Sequence, residues 1–281
     1  MQSTSPSNWK PRFFLIWSGQ QISLLGSNLA GFALTWWITR ETGSAVILST
    51  LTMVMMLPGV FLGPFIGALV DRWNRRLIML VADSTVALFS AWLGFLFWSG
   101  RLELWHIYVI MLIRAIGGTF HDPAMAASTS LMVPREQLAR VSGLNQTMMG
   151  IRNIVGSPLG AWLMTLMPVY GLMAIDVLTA LVAIGPLLFV HIPQPTSPGG
   201  TQPTHFVQDV REGLLYVWHW PGLFIVLVMA TLINLVLTPA FTLLPLLITR
   251  NLDGGAIQLG LMNSAWGVGV ILGGALLSIW G

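Results

Sequence analysis

Gly67-Ala68-Leu69-Val70-Asp71-Arg72-Trp73-Asn74-Arg75-Arg76 sets four charges between two long apolar runs, in a 281-residue chain of which only 8% is charged. Three arginines by themselves would serve as a positively charged anchor on a cytoplasmic loop. The glycine ending one run and the aspartate ahead of the arginines ask for more than orientation. What flanks the cluster therefore decides the fold.

Hydrophobic residues make up 55% of the chain and the mean hydropathy is +0.77. Apolar runs of about twenty residues or more recur along it, the length needed to cross a bilayer as a helix. The runs are too continuous for alternating barrel strands, and lipid leaves no backbone group unpaired. An all-α polytopic membrane protein is expected, with eight spans near 13–39, 45–70, 77–98, 105–120, 146–167, 172–191, 223–249 and 257–281. The first run carries Gln20, Gln21 and Asn28 and lacks a small-x-small site, so it reads as a retained helix.

Lys10, Arg12, Arg72, Arg75, Arg76, Arg135, Arg140 and Arg211 fall on one side of these spans, against Arg40, Arg101 and Arg250 on the other. The excess predicts an inner-membrane protein with both termini cytoplasmic, and Trp36, Trp37, Trp98 and Trp105 near the outer interface. A pI near 10 needs no nucleic-acid partner, because basic loops facing anionic lipid explain it. With no cysteine there is neither a disulfide framework nor a thiolate metal site, and His106, His121 and His219 are too scattered to hold a metal.

Residues 192–205 are rich in Pro, Gly and Thr and read as a cytoplasmic linker. Phe206, Val210, Leu214 and Val217 then recur at helical spacing, which predicts an amphipathic surface helix. The expected organisation is a six-helix bundle over 1–191, a linker over 192–222 and two further helices over 223–281. Shifting the chain by about 210 residues pairs Pro11 with Pro221 and Ile38-Thr39-Arg40 with Ile248-Thr249-Arg250. This is the mark of a parallel repeat, two halves about an axis along the membrane normal. On that register Asp71 falls opposite Gly281, so four more helices are expected beyond the chain's end.

The opening stretch resembles the G-x-x-x-D-R-x-x-R-R loop between the second and third helices of the major facilitator superfamily. Leu24-Leu25-Gly26-Ser27-Asn28, Glu41-Thr42-Gly43-Ser44, His121-Asp122-Pro123-Ala124, Val133-Pro134-Arg135-Glu136-Gln137-Leu138-Ala139-Arg140, Leu144-Asn145-Gln146 and Val210-Arg211-Glu212-Gly213-Leu214 are similar to its drug and siderophore exporter branch, which holds macrolide-efflux and enterobactin exporters. The resemblance implies twelve helices in complete members. It also implies a gate latch in which Asp71 meets a helix N-terminus of the other half and Arg75 pairs with Asp122. Gly67, Arg72 and Arg76 complete that motif, although Arg72 and Arg76 read first as topology anchors.

Arg114 lies mid-span, where an unpaired cation costs at least about 2.5 kcal/mol. Arg114-Ala115-Ile116-Gly117-Gly118 resembles the family's R-x-x-x-G motif, associated with proton coupling; a structural ion pair is the other reading. Asp83 is a candidate partner, for which Arg152 competes, and Asp176, near the outer end of the sixth span, reads as a structural capping or pairing group. Gln21, Asn28 and Thr35 recur every seven residues and face protein or a water-filled cavity. Thr231, Asn234, Thr238 and Thr242 form a similar stripe on the seventh span. Gly150, Gly156, Ser157, Pro158, Gly160 and Ala161 resemble the fifth-helix antiporter motif, whose physical content is close helix contact.

The expected function is proton-driven export of amphipathic small molecules by alternating access, with the proton gradient as the energy source and no bound cofactor. The alternative is a non-transporting membrane module that assembles with a partner chain supplying the missing helices. An enzyme is disfavoured, because no nucleophile, base and orienting group stand at useful spacing.

Overall fold

The computed structural model describes residues 9–190, 192, 215–216 and 218–280. Among these there are eight long helices and no strand: α1 (Trp9–Thr42), α2 (Ala45–Arg72), α3 (Arg75–Ser99), α4 (Leu104–Met132), α5 (Arg135–Leu166), α6 (Val169–Phe189), α7 (Pro221–Asn251) and α8 (Ala256–Trp280). They lie where the eight spans are expected. By length and composition α2, α3, α4, α6 and α7 can each cross a membrane. The linker and most of the amphipathic helix expected at 206–218 lie outside the described residues.

Short joints fix the helices' antiparallel order. Ser44 caps α2 by accepting from the Ile47 N–H at 3.4 Å, and Asn74 caps α3 by accepting from the Leu77 N–H at 3.2 Å. Gly100 closes α3 in the left-handed region at φ 66°, which a residue without Cβ enters freely. Helices α4 and α5 run well past the expected spans, α4 on to Met132 and α5 from Arg135. Lipid bounds hydropathy, but it does not bound the helix. Ala, Met, Leu, Gln and Arg sustain backbone pairing into water until Pro134 interrupts it.

The bundle core is α1 to α6, with α1 against α5 and α6, α3 against α4 and α6, and α2 against α4. Helix α8 packs along α5, and α7 touches α2 and α1. Small residues set the closest approaches. A Cβ on Gly19 would come within 2.9 Å of the Val182 carbonyl, and one on Gly26 within 2.0 Å of Thr179 Oγ1, so α1 meets α6 backbone to backbone. Gly260 and Gly267 do the same on α8, against Ser157, Pro158 and Ile154 of α5.

The interior is layered. One apolar cluster joins Leu29, Leu34, Ile38, Leu93, Ile110 and Met173 towards the Arg40 end. Another joins Phe13, Ile16, Ile66, Met79, Met132 and Leu187 towards the Arg72 end. Buried Gln20, Asp83, Ser90, His121 and Asp176 occupy the depth between them. Trp36 departs from the interfacial expectation: it is buried with Phe32, Ala161, Ile248 and Leu259, where α1, α5, α7 and α8 converge. Trp98 and Trp105 are exposed.

Candidate functional site

The polar layer is built from seven-residue spacings on three helices: Gln20 and Ser27 on α1, Asp83 and Ser90 on α3, Arg114 and His121 on α4. Seven residues are two turns, about 10.5 Å of rise, so each helix offers one polar side chain to each of two levels.

At the first level Asp176 of α6, fully buried, receives hydrogen bonds from three other helices. Arg114 Nη1 is 2.6 Å from its Oδ2, Ser90 Oγ donates to the same oxygen at 2.7 Å and Ser27 Oγ donates to Oδ1 at 2.8 Å. Arg114 also contacts Ser90 Oγ. Asp83 is therefore not the partner of Arg114, because α6 presents Asp176 at the same depth. Arg152 does not reach Asp83 either; its Nη1 donates to Gln21 Oε1.

The second level holds Asp83. Gln20 Nε2 donates to Asp83 Oδ2 at 2.7 Å, while Gln20 Oε1 faces His121 Nε2 at 3.0 Å. His121 Nε2 is 3.4 Å from Asp83 Oδ1, and its Nδ1 is 3.5 Å from Asp122 Oδ1. A cavity of about 200 Å³ joins the two levels, lined by Gln20, Ser27, Asp83, Arg114, His121 and Asp122 among others.

The charged turn behaves differently from the expected latch. Arg75 is buried and pairs with Asp71 at 3.2 Å across the joint between α2 and α3, while its Nη1 donates to the Ala127 carbonyl at 3.1 Å. The expected Arg75–Asp122 pair gives way to this, since the short joint holds Asp71 beside Arg75 while Asp122 contacts His121. Arg76 donates to the carbonyls of Leu187 and Leu188, so it caps the C-terminal end of α6. Arg72 is exposed and lines an apolar groove between α3 and α4, where Trp73 stacks on Phe120. Nothing lies within 4 Å of where a Gly67 Cβ would stand, so packing within the described chain does not require that glycine.

A second cavity of about 580 Å³ opens between α1, α2, α4, α5, α7 and α8. Asn28 and Thr35 line it, and Arg152, which holds Gln21, is the one charged side chain on its described wall. Phe32, Met55, Met111, Phe241 and Trp266 supply apolar surface, with Phe241 edge-on to Trp266 at 4.7 Å between centroids. The α7 stripe is not part of this wall. Asn234 is exposed and bonds to the Ala230 carbonyl of its own helix, and Thr238 lines a groove between α7 and α2. Helix α7 instead turns Phe241 and Pro245 to the cavity.

Sequence reasoning passed over Gln20, Ser27, Ser90 and His121. Their signal is the seven-residue spacing from residues it did single out: His121 from Arg114 and Ser90 from Asp83. Gln20 and Ser27 precede Gln21 and Asn28 by one position, and that offset turns one stripe to the polar layer and the other to the large cavity. Among the described residues no group of three or more His, Cys, Asp or Glu gathers as a metal site would require.

A family profile described as transmembrane secretion effector matches residues 3–280. Macrolide efflux protein A of Streptococcus pyogenes is 34% identical over 275 residues, 98% of this chain and 68% of the relative. Macrolide efflux protein A of Enterococcus faecalis is 33% identical over 239 residues, covering 85% of this chain and 74% of the relative. The multidrug efflux pump Tap of Mycobacterium tuberculosis is 23% identical over 219 residues, covering 76% and 52% respectively.

Proposed function

Because the chain belongs to the transmembrane secretion effector family of the major facilitator superfamily, we propose that it exports amphipathic small molecules by alternating access, driven by inward proton flow. The observation that supports this best is the 580 Å³ cavity. Its size is that of a drug-sized site, about 300–1,000 Å³. Asn28, Asn153 and Asn263 offer amides that orient a polar substituent, while Phe32, Phe241 and Trp266 accept an apolar body. The names of the relatives make macrolides the first substrates to test.

Among the described residues Asp83 and Asp176 are the carboxylates buried in the bundle; Arg114 pairs with Asp176 at its own level, which leaves Asp83 as the carboxylate available for antiport. Asp71, whose side chain is 74% exposed, is free to meet the positive end of a helix in an opposing half. The excess of basic residues at the Arg72 end orients the protein with its N-terminus in the cytoplasm, in the inner membrane.

The test is uptake of a radiolabelled macrolide into proteoliposomes under an imposed pH gradient. Accumulation that a protonophore abolishes is the expected result. No gradient-dependent movement of a macrolide, a hydrophobic cation or a catecholate would reject export and favour a non-transporting membrane module.

A further inference from the structure

We infer that His121 and Asp83, bridged by Gln20, form the site that carries the transported proton, while Arg114 and Asp176 are its fixed structural neighbours. The inference rests on the proton-driven reading above.

The two buried carboxylates differ in what they can do. Asp176 accepts from Arg114, Ser90 and Ser27 and has no exposed surface, so a proton placed on it would break an ion pair in the densest part of the bundle. Asp83 accepts one amide hydrogen bond, from Gln20, and otherwise faces an imidazole and a cavity. Histidine alone among side chains changes charge near neutral pH without special tuning.

The hydrogen-bond pattern around His121 defines a path. With the Gln20 amide nitrogen committed to Asp83, its oxygen is turned to His121 Nε2 and accepts from it. Every contact the ring makes is with an acceptor: Gln20 Oε1 and Asp83 Oδ1 at Nε2, and Asp122 Oδ1 at Nδ1. Both ring nitrogens therefore complete their hydrogen bonds only when each carries a proton. Asp122 is the exposed end of the chain of contacts, its side chain 79% accessible, and Asp83 is the buried end.

The remaining charges near the ring are Arg114 of α4, which shares the small cavity, and Arg152 of α5, which lies within Coulombic reach of Asp122. Helix α1 contributes Gln20, Ser23, Leu24 and Ser27 to that cavity, all of them neutral.

The step balances as a relay. A proton arriving beside Asp122 binds Nδ1 of the neutral ring, whose own proton sits on Nε2, and makes it imidazolium. The Nε2 proton then passes to Asp83 Oδ1, leaving a neutral acid and a neutral ring protonated at Nδ1. Loss of the Asp83 proton to the 200 Å³ cavity restores the carboxylate, and a ring tautomer shift completes the cycle. That cavity carries Gln20, Asp83, Arg114 and His121 on its wall and is large enough to hold water, which can carry the proton on.

The test combines transport with a direct reading of the ring. In proteoliposomes, His121→Gln and Asp83→Asn should lower the ratio of gradient-driven macrolide accumulation to macrolide exchange at symmetric pH by about 100-fold, the scale of a lost proton-transfer group. In nanodiscs containing protein with ¹⁵N-labelled histidine, the signal absent from His121→Gln should move between its neutral and imidazolium forms as the pH is changed. Asp83→Asn should displace that titration. An unchanged ratio in His121→Gln, or a His121 signal that does not respond to pH, overturns the inference. Should His121→Gln not fold, the wild-type titration, with the signal assigned through its response to Asp83→Asn, decides alone. Should wild type move no macrolide, export fails, while a His121 titration coupled to Asp83 still upholds the pair as a proton site.

Discussion

Arg114 and Asp176 join α4 to α6 through a 2.6 Å ion pair at the centre of the bundle, with both side chains almost wholly shielded. Removing one charge strands the other where solvation is poor. Asp176→Asn is expected to cost about 3–5 kcal/mol of stability. Arg114→Met combined with Asp176→Leu should lie nearer to wild type than either single change. Thermal unfolding in detergent checks the order; a single variant as stable as the double would reject it.

Asp71 and Arg75 also form an ion pair, yet the two residues should respond unequally. The carboxylate is 74% exposed and the pair bridges the joint between α2 and α3, so with so solvated a partner it is worth at most about 1 kcal/mol. Asp71→Asn should therefore leave Tm nearly unchanged and show its effect only in transport. Arg75 is buried and donates to the Ala127 carbonyl of α4, so Arg75→Ala should cost about 1.5–3 kcal/mol.

Gly26 fixes how closely α1 approaches α6. A methyl group there would stand 2.0 Å from Thr179 Oγ1. Gly26→Ala should destabilise by about 1–3 kcal/mol through overpacking, and Thr179→Ala should restore part of the loss. Additive losses in the double variant would show that the two positions do not meet.

The contact between α5 and α8 is open to a clean cross-linking test, because the chain has no native cysteine. Asn263 Nδ2 lies 3.3 Å from Ser157 Oγ, and both residues line the large cavity. Ser157→Cys with Asn263→Cys should form a disulfide rapidly under mild oxidation. If the helices separate during transport, a macrolide should change the rate and the cross-link should stop flux; neither effect would place this contact outside the moving interface.

Arg152 is the charged side chain on the described wall of that cavity. Arg152→Ala should weaken macrolide binding by about tenfold or more if a charge-assisted hydrogen bond to the ligand is lost. Arg152→Lys should retain part of the affinity. Equilibrium binding in detergent reads this without any flux, and equal affinities in all three proteins would assign Arg152 to holding Gln21 alone.

Much of the architecture was legible in the sequence, because lipid permits few alternatives. Apolar runs long enough to cross a bilayer had to become helices, and Asn74, Pro134 and Gly100 carry their own capping or breaking chemistry. The seven-residue recurrence of Gln21, Asn28 and Thr35 pointed to one face of α1, and Asn28 and Thr35 indeed reach the cavity. The matching stripe on α7 did not, because helical spacing says which residues share a face without saying what that face meets. The C-terminal end of α4 and the start of α5 were misplaced for a related reason: hydropathy marks where lipid stops, whereas backbone pairing continues to the joint at Val133 and Pro134.

Sequence by itself therefore determined the fold class, the family and the residue types available for coupling. Partnership was decided only by the tertiary structure. Arg114 found Asp176 rather than Asp83, Arg75 found Asp71 rather than Asp122, and His121 joined Asp83 through Gln20. An unpaired buried charge costs several kcal/mol, so a buried ion takes whichever opposite charge the packing brings within hydrogen-bond reach. That depends on helix rotation and depth, which close contacts such as Gly26 with Thr179 set, and which no spacing along one strand of sequence records.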